Sequence, residues 1–571
     1  MSDLSKNTYE KEYVRIKIWL FLNLLLYIVI ECISSFNPLE RFQYLLTHVD
    51  IFLINYIILL IITCPCLLFT KMTFVFNLFA VGILSIVYAS RILMVIRGMP
   101  LRWPDFFIAK EGLSIANKYL SFDIIMLIII LVMIGLFFLA KSYSCHLNIY
   151  HPMLMVCFII LITSLNLTVI SKAQKKDTSE VKESIDYSEE GPIYSFVASY
   201  EAKNHSMPEN YSEQSLRVLQ EKLRHQPKTT ATDKKPNIIF LQVESFIDPL
   251  TLKNISYSKD PIPNMRKYMT GDWCGSIEVP GINTARTEFE ILTGMRIAQL
   301  FKYEVPYTSD ALDGRPIESI VHVLKKYKKY HTTAIHNHEG SFYKRDEVYK
   351  VFGFDHFIPI EYMEGAEYTK NWPKDNILLK YIQETLQATS NRDFIFTVTV
   401  GTHSSYDYDY EGNTSDITIT GDLEDPIRHQ IQDYIDRLAE TDQFVGALIT
   451  FIYQLKEPTV LVVYSDHIPA LDSITYDEDY IKDQVPYFIV SNYKLRGKAA
   501  PLIPTYKLYT QVLDSIGIRG GIISSVHHVF EKEQDYFQQL DLAAYDLLMG
   551  ERYITQGKDL YPTSALQLGM P

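Results

Sequence analysis

The chain has 571 residues, enough for several domains, and 48% of them are hydrophobic. Its formal net charge of −13 and pI near 5.6 exclude the broad basic surface that nucleic-acid binding needs, so no nucleic-acid partner is expected. No internal repeat is evident.

The hydrophobic excess lies in the first 170 residues, in five apolar runs at 18–36, 51–69, 74–88, 122–140 and 153–170. Each is near the roughly 20 residues a helix needs to cross the hydrocarbon core, and the third extends past Arg91 to about Ile96. The pattern predicts a transmembrane domain of five helices over 1–170. Lys11, Arg15 and Lys17 ahead of the first run favour a cytoplasmic N-terminus, and the length of that run argues against a cleavable signal peptide. Five crossings then place the remainder outside the cell. Arg97, Arg102, Lys110 and Lys118, between the third and fourth runs, pull the other way. Five of the six cysteines lie in or beside the membrane runs; Cys274 alone cannot form an internal disulfide, which suits a cytosolic domain as well as a secreted one.

Residues 171–236 are polar and of mixed charge, and read as an extracellular linker with a helix around 213–224. From Asn237 to about Leu548, short apolar runs at 237–243, 332–335, 394–400, 459–464 and 487–490 alternate with helical stretches at 317–327, 378–386 and 430–454. Strands that alternate with helices predict an α/β domain with a mainly parallel central sheet covered on both faces. Residues 549–571 read as a C-terminal tail.

Three of these strands end alike. NIIFLQV stops at Glu244, FIFTVTV stops just before Gly401-Thr402-His403, and TVLVVYS stops at Asp466-His467. Ligands of open α/β sheets bind beyond the carboxyl ends of the strands. One polar strand end is ordinary turn chemistry. Three that bring Glu, His and Asp-His to one edge make a candidate metal site, with a mixed oxygen and nitrogen set suited to Mn²⁺ or Zn²⁺ more than to Ca²⁺.

In PGINTARTEFEILTG, Pro-Gly and Asn mark a turn, and TARTEFEIL starts a helix with Thr284 as the N-cap candidate. The capping box is imperfect, because Glu288 falls four residues after Thr284. A hydroxyl beside the free N–H groups of a helix start is also well placed to meet a phosphate, so Thr284 reads as cap, nucleophile or both, with Thr287 as the fallback. In TAIHNHEGSFYKRDEVYKVFGFDHF, His336 follows a short strand that could face the same crevice, and the Arg345 fork suits phosphate oxygens. His338 reads as a solvated loop residue.

The order VESF, TARTEFEILTG, FYKRDEVYKVFGF, GTHSSY and YSDH resembles the lipoteichoic acid synthase family, membrane phosphoglycerol transferases of the alkaline phosphatase and sulfatase superfamily. The five-run membrane segment with its RWPDFF loop is similar too. The resemblance implies that Glu244, Thr284, Asp466 and His467 hold the metal, Mn²⁺ with Zn²⁺ or Mg²⁺ as alternatives, and that Thr284 is also the nucleophile. It places His403 and Arg345 at substrate-phosphate positions, with His336 near them. It further implies transfer of glycerophosphate from phosphatidylglycerol, through a threonine intermediate, to a cell-envelope glycan or glycolipid at a Gram-positive type membrane. Two positions depart from the family pattern: INTARTEF stands where GKTSD-type sequences are usual, and His338 stands where an acidic residue is expected. The alternatives are a phosphoethanolamine transferase with the same core, a sulfatase, and a membrane receptor that has lost catalysis. Sulfatases generally need a C/S-x-P-x-R motif, and Cys274 begins CGSIE instead.

Overall fold

The computed structural model describes residues 3–35, 38–69, 71–97, 100–106, 190–201, 207–224 and 235–571, the last with short breaks at 282, 302–304, 313, 390, 472–475, 477–480, 482, 560 and 563. The chain divides into two compact units, 1–204 and 205–571.

Among the described residues of the first unit, three helices are long and apolar enough to cross a membrane: Tyr13–Ser34, Val49–Leu68 and Met72–Met94. They correspond to the first three predicted runs; the fourth and fifth, 122–140 and 153–170, lie outside the described residues. The second span changes from α-helix to a 3₁₀ turn at Cys64–Leu68, where Pro65 has no amide to continue the ladder. Buried polar groups tie the helices together: Thr63 Oγ1 donates to Asn23 Oδ1 at 2.8 Å and accepts from Trp19 Nε1 at 3.2 Å. Of the stretch read as a linker, the helix Pro192–Glu201 belongs to this unit. Asn55 Oδ1 accepts from its Tyr194 amide at 2.9 Å, and Ser199 Oγ accepts from the Trp103 amide at 2.8 Å. The helix Glu213–Arg224 belongs to the second unit, where it buries Leu216 and Leu219.

The second unit is built on one sheet. Among the described residues nine strands join it: β1 (Asn237–Val243), β2 (Cys274–Glu278), β3 (His331–His336), β4 (His356–Pro359), β5 (Asp393–Val398), β6 (Thr459–Ser465), β7 (Gln484–Ser491), β8 (Leu502–Pro504) and β9 (Gln567–Leu568). Their order across the sheet is β8-β2-β7-β6-β1-β5-β3-β4-β9. The run from β6 to β9 is parallel throughout, and β7 is antiparallel to both its neighbours.

Period-2 alternation divides the central strands between two cores. Ile238, Phe240, Phe394, Phe396, Val460 and Val462 face one apolar cluster; Ile239, Leu241, Ile395, Leu461 and Val463 face the other. The helices Thr284–Thr293, Ile320–Lys328, Thr505–Ser515 and Ile522–Phe530 cover the first face, while Ile377–Ala388 and Asp425–Gln454 cover the second. A sheet buried on both faces explains why β1 and β6 read as unbroken apolar runs.

Candidate active site

Register places the polar strand ends together. Val243 is level with Ser465 across β1 and β6, Gln242 with Val398 across β1 and β5, and Val398 with His336 across β5 and β3. The residues that follow emerge at one edge: Glu244 after β1, Asp466 and His467 after β6, and the turn carrying His403 after β5. His336 is the last residue of β3.

Glu244, Asp466 and His467 are buried, and each offers a ligand atom within 4.8 Å of the others. His467 Nε2 lies 3.5 Å from Glu244 Oε1 and 3.5 Å from Asp466 Oδ2. Asp466 Oδ1 and His467 Nδ1 are engaged by backbone. Asp466 Oδ1 accepts from the amides of Ser245 and His467, both at 2.8 Å. His467 Nδ1 lies 2.9 Å from the Ile468 carbonyl, which can only accept, so Nδ1 carries the proton and Nε2 faces the carboxylates with its lone pair. Asp466 Oδ2 is buried without a hydrogen-bond partner among the described residues. An orphaned carboxylate oxygen beside an imidazole lone pair and a second carboxylate fits a divalent cation of the Mn²⁺ or Zn²⁺ type.

Electrostatics point the same way. Burial, and then the charge of Glu244, push Asp466 well above the usual carboxylate range. Burial would lower His467, but Asp466 and Glu244 outweigh it and raise the ring. Cation binding here therefore competes with protons on Asp466 and His467. The apparent affinity for Mn²⁺ or Zn²⁺ is expected to rise with pH through the neutral range, about tenfold per unit for each proton displaced. Titration calorimetry in buffers of different ionisation enthalpy checks this; affinity independent of pH would contradict it.

Thr284 is the first residue of the helix Thr284–Thr293, and its Oγ1 donates to Glu244 Oε2 at 3.2 Å. It is not the N-cap. That position falls to Asn283, whose extended backbone starts the helix and whose side chain donates to Tyr343 Oη at 2.9 Å instead of capping. Thr287, the fallback, is fully buried and donates to the Asp466 carbonyl at 2.9 Å, so its hydroxyl braces the turn that carries Asp466 and His467. The structure thus sets Thr284, and not Thr287, against the trio.

His403 is half-buried, and burial lowers its pKa. Its Nδ1 lies 2.6 Å from the Ser404 carbonyl. From His403 a row of rings runs along the edge: Trp372 at 4.4 Å between centroids, His338 at 5.6 Å from Trp372, and His336 at 5.7 Å from His338. His338 is therefore buried in this row and is not the solvated residue its loop sequence suggests.

Arg345 departs from expectation. It is buried, and its fork is closed on Glu288 through Nη2 at 2.5 Å and Nε at 3.2 Å, while Glu288 also accepts from Tyr349 Oη at 2.7 Å. Its remaining nitrogen, Nη1, donates to the Phe342 carbonyl at 3.4 Å. In this structure the guanidinium neutralises a buried carboxylate on the Thr284 helix and does not present a phosphate fork to the crevice. Arg345→Ala would strand that carboxylate, and a loss of about 3–5 kcal/mol is expected in denaturant unfolding.

Several residues that shape the site carried no signal in the sequence. Ser245 adopts a left-handed backbone (φ 51°), which turns its amide onto Asp466, and its Oγ donates to Glu244 Oε1 at 2.8 Å. Trp372 arrives on a short hairpin, Tyr368–Thr369 and Trp372–Pro373. Asp375 accepts from the amides of Val400 and Gly401 at 3.1 and 3.0 Å and so shapes the turn before His403.

At one edge of the doubly covered sheet the fold thus assembles a buried Glu–Asp–His trio and a helix-borne hydroxyl. Residues 236–518 match the family model described as Sulfatase, and this segment is a sulfatase-family domain. Among curated proteins, the chain is 30% identical over 298 residues to a Rhizobium meliloti (strain 1021) protein named for modification of cyclic beta-1,2-glucan, covering 52% of this chain and 45% of that protein. It is 26% identical over 190 residues to lipoteichoic acid synthase 2 of Bacillus subtilis (strain 168), covering 30% of this chain and 28% of that protein. The chain thus spans less than half the length of either relative. Among solved structures, the fold is similar to that of the Streptococcus pyogenes phosphoglycerol transferase GacH in complex with sn-glycerol-1-phosphate, at TM-score 0.54 and 21% identity, over 63% of this chain and 100% of that one.

Proposed function

We propose that the chain is a membrane-anchored phosphoglycerol transferase, multi-pass, with the domain from 237 to 548 on the outer face of the membrane. It takes glycerophosphate from phosphatidylglycerol and passes it to a hydroxyl of a cell-envelope glycan or glycolipid. The observation that carries this reading is the Thr284 hydroxyl at 3.2 Å from Glu244, on the edge of a trio built for a divalent cation. The names of the relatives, a lipoteichoic acid synthase and a phosphoglycerol transferase, support the substrate class.

Glu244, Asp466 and His467, with Thr284 Oγ1, would hold the cation. When bound there, Mn²⁺ or Zn²⁺ would lower the pKa of the threonine hydroxyl and offset phosphate charge. Thr284 Oγ1 attacks the phosphorus of the lipid headgroup, the bond to the diacylglycerol oxygen breaks, and diacylglycerol leaves with a proton. His403 and His336 line the path of the headgroup. An acceptor hydroxyl then displaces Thr284 from phosphorus and regenerates its hydroxyl. The start of the Thr284 helix, with its positive dipole end, favours the negative charge that develops there.

The test is lipid turnover. Full-length protein in mixed vesicles of phosphatidylglycerol and phosphatidylethanolamine with Mn²⁺ should convert phosphatidylglycerol to diacylglycerol. Consumption of phosphatidylethanolamine with phosphatidylglycerol untouched would overturn the donor, and a C-terminal reporter active only in the cytosol would overturn the topology.

A further inference from the structure

The helix Asp425–Gln454 carries Tyr434, Arg437 and Thr441 at i, i+3 and i+7, on one face. Each helps hold the turns behind the crevice. Tyr434 Oη donates to the Ser245 carbonyl at 2.8 Å, next to Glu244. Thr441 Oγ1 donates to Asp375 at 2.7 Å, the carboxylate that holds the Val400 and Gly401 amides. Arg437 Nη1 donates to the His403 carbonyl at 3.0 Å, and Nη2 to the Ser405 carbonyl at 3.4 Å.

Arg437 is buried, and Asp433, one turn earlier, meets its charge at 2.9 and 2.7 Å. Asp433 also accepts from the Asp407 amide at 2.9 Å and from Lys370 Nζ at 3.1 Å. Lys370 lies in the turn of the hairpin that carries Trp372, whose ring packs on His403. One carboxylate thus anchors the guanidinium, the loop after His403 and the hairpin that backs the imidazole.

We propose that Arg437 is the positioning residue for His403. Its planar fork bridges two carbonyls of the His403 turn while Asp433 fixes it from the other side, and this sets where the imidazole stands relative to Glu244. A lysine keeps the charge opposite Asp433 but has no fork to span both carbonyls. The metal trio is held by other contacts, so Arg437→Lys should leave cation binding unchanged. The inference rests on the reading of His403 as a substrate-facing group.

The experiment is a double-mutant cycle on the full-length protein with phosphatidylglycerol vesicles and Mn²⁺. Arg437→Lys is expected to raise KM about tenfold with kcat within a few-fold of wild type. In His403→Ala, adding Arg437→Lys should cost nothing further. Multiplying effects, or wild-type KM in a folded Arg437→Lys, would overturn the proposal. Should Arg437→Lys fail to fold, Asp433→Asn keeps the fork but frees it, and the same non-additivity with His403→Ala is expected; additivity there overturns the proposal equally. If the wild type consumes no phosphatidylglycerol, the functional reading has failed, and the same cycle is read on hydrolysis of bis(4-nitrophenyl) phosphate, where additive effects again count against Arg437.

Discussion

Asp466→Asn is expected to fold, to lose its divalent cation, and to lose turnover of phosphatidylglycerol by about a thousandfold or more. The two oxygens of Asp466 have separate duties. Oδ1 accepts the Ser245 and His467 amides, and an asparagine carbonyl can keep both bonds. Oδ2 is the orphan that fits the cation, and an amide nitrogen there offers no lone pair to a metal. Asp466→Ala is a harsher change, because it leaves two buried N–H groups unpaired at about 1–3 kcal/mol each. Metal content by mass spectrometry, thermal unfolding and lipid turnover separate the two variants. Wild-type metal content with full activity in Asp466→Asn would remove the trio from the chemistry.

Thr284→Ala is expected to abolish turnover while costing little stability. Because Asn283 holds the N-cap position, the substitution removes one hydrogen bond, to Glu244, worth about 0.5–1.5 kcal/mol. Wild-type protein given phosphatidylglycerol without acceptor should gain one glycerophosphoryl group on the peptide carrying Thr284, and Thr284→Ser should keep part of the activity. Thr287→Ala gives the contrasting result. It removes a buried hydroxyl bonded to the Asp466 carbonyl, so it should lower stability and metal affinity together while the adduct still forms on Thr284. An adduct on Thr287, or activity intact in Thr284→Ala, would overturn the assignment of the nucleophile.

Most of the central sheet was legible because each strand carries its own signal. β1 and β6 are apolar runs that stop at Glu244 and Asp466, and β5 is one that stops before Gly401, as strands buried on both faces do. The strands with no such run, CGSIE, HFIP, LIP and QL, are short and join at or near the two ends of the sheet, where partners supply the order that local composition lacks. Thr284 shows the limit within one element. The helix start was readable to within a residue, but whether the Thr284 hydroxyl meets its own backbone or a carboxylate 40 residues away was not, because that depends on the fold.

Sequence alone determined where the polar strand ends lie: an apolar strand that ends in Glu or Asp-His puts those groups at the sheet's edge, where the strand stops. Only tertiary structure decided which charges remain available there. An arginine fork fits a phosphate and a carboxylate equally well, and Arg345 closes on Glu288, 57 residues away, while Arg437 closes on Asp433 in its own helix and on the turn that carries His403. The Asp433–Arg437 pair is local, one helical turn apart, but the His403 turn lies 34 residues from Arg437 and Glu288 lies 57 from Arg345, so no local pattern records where either fork ends.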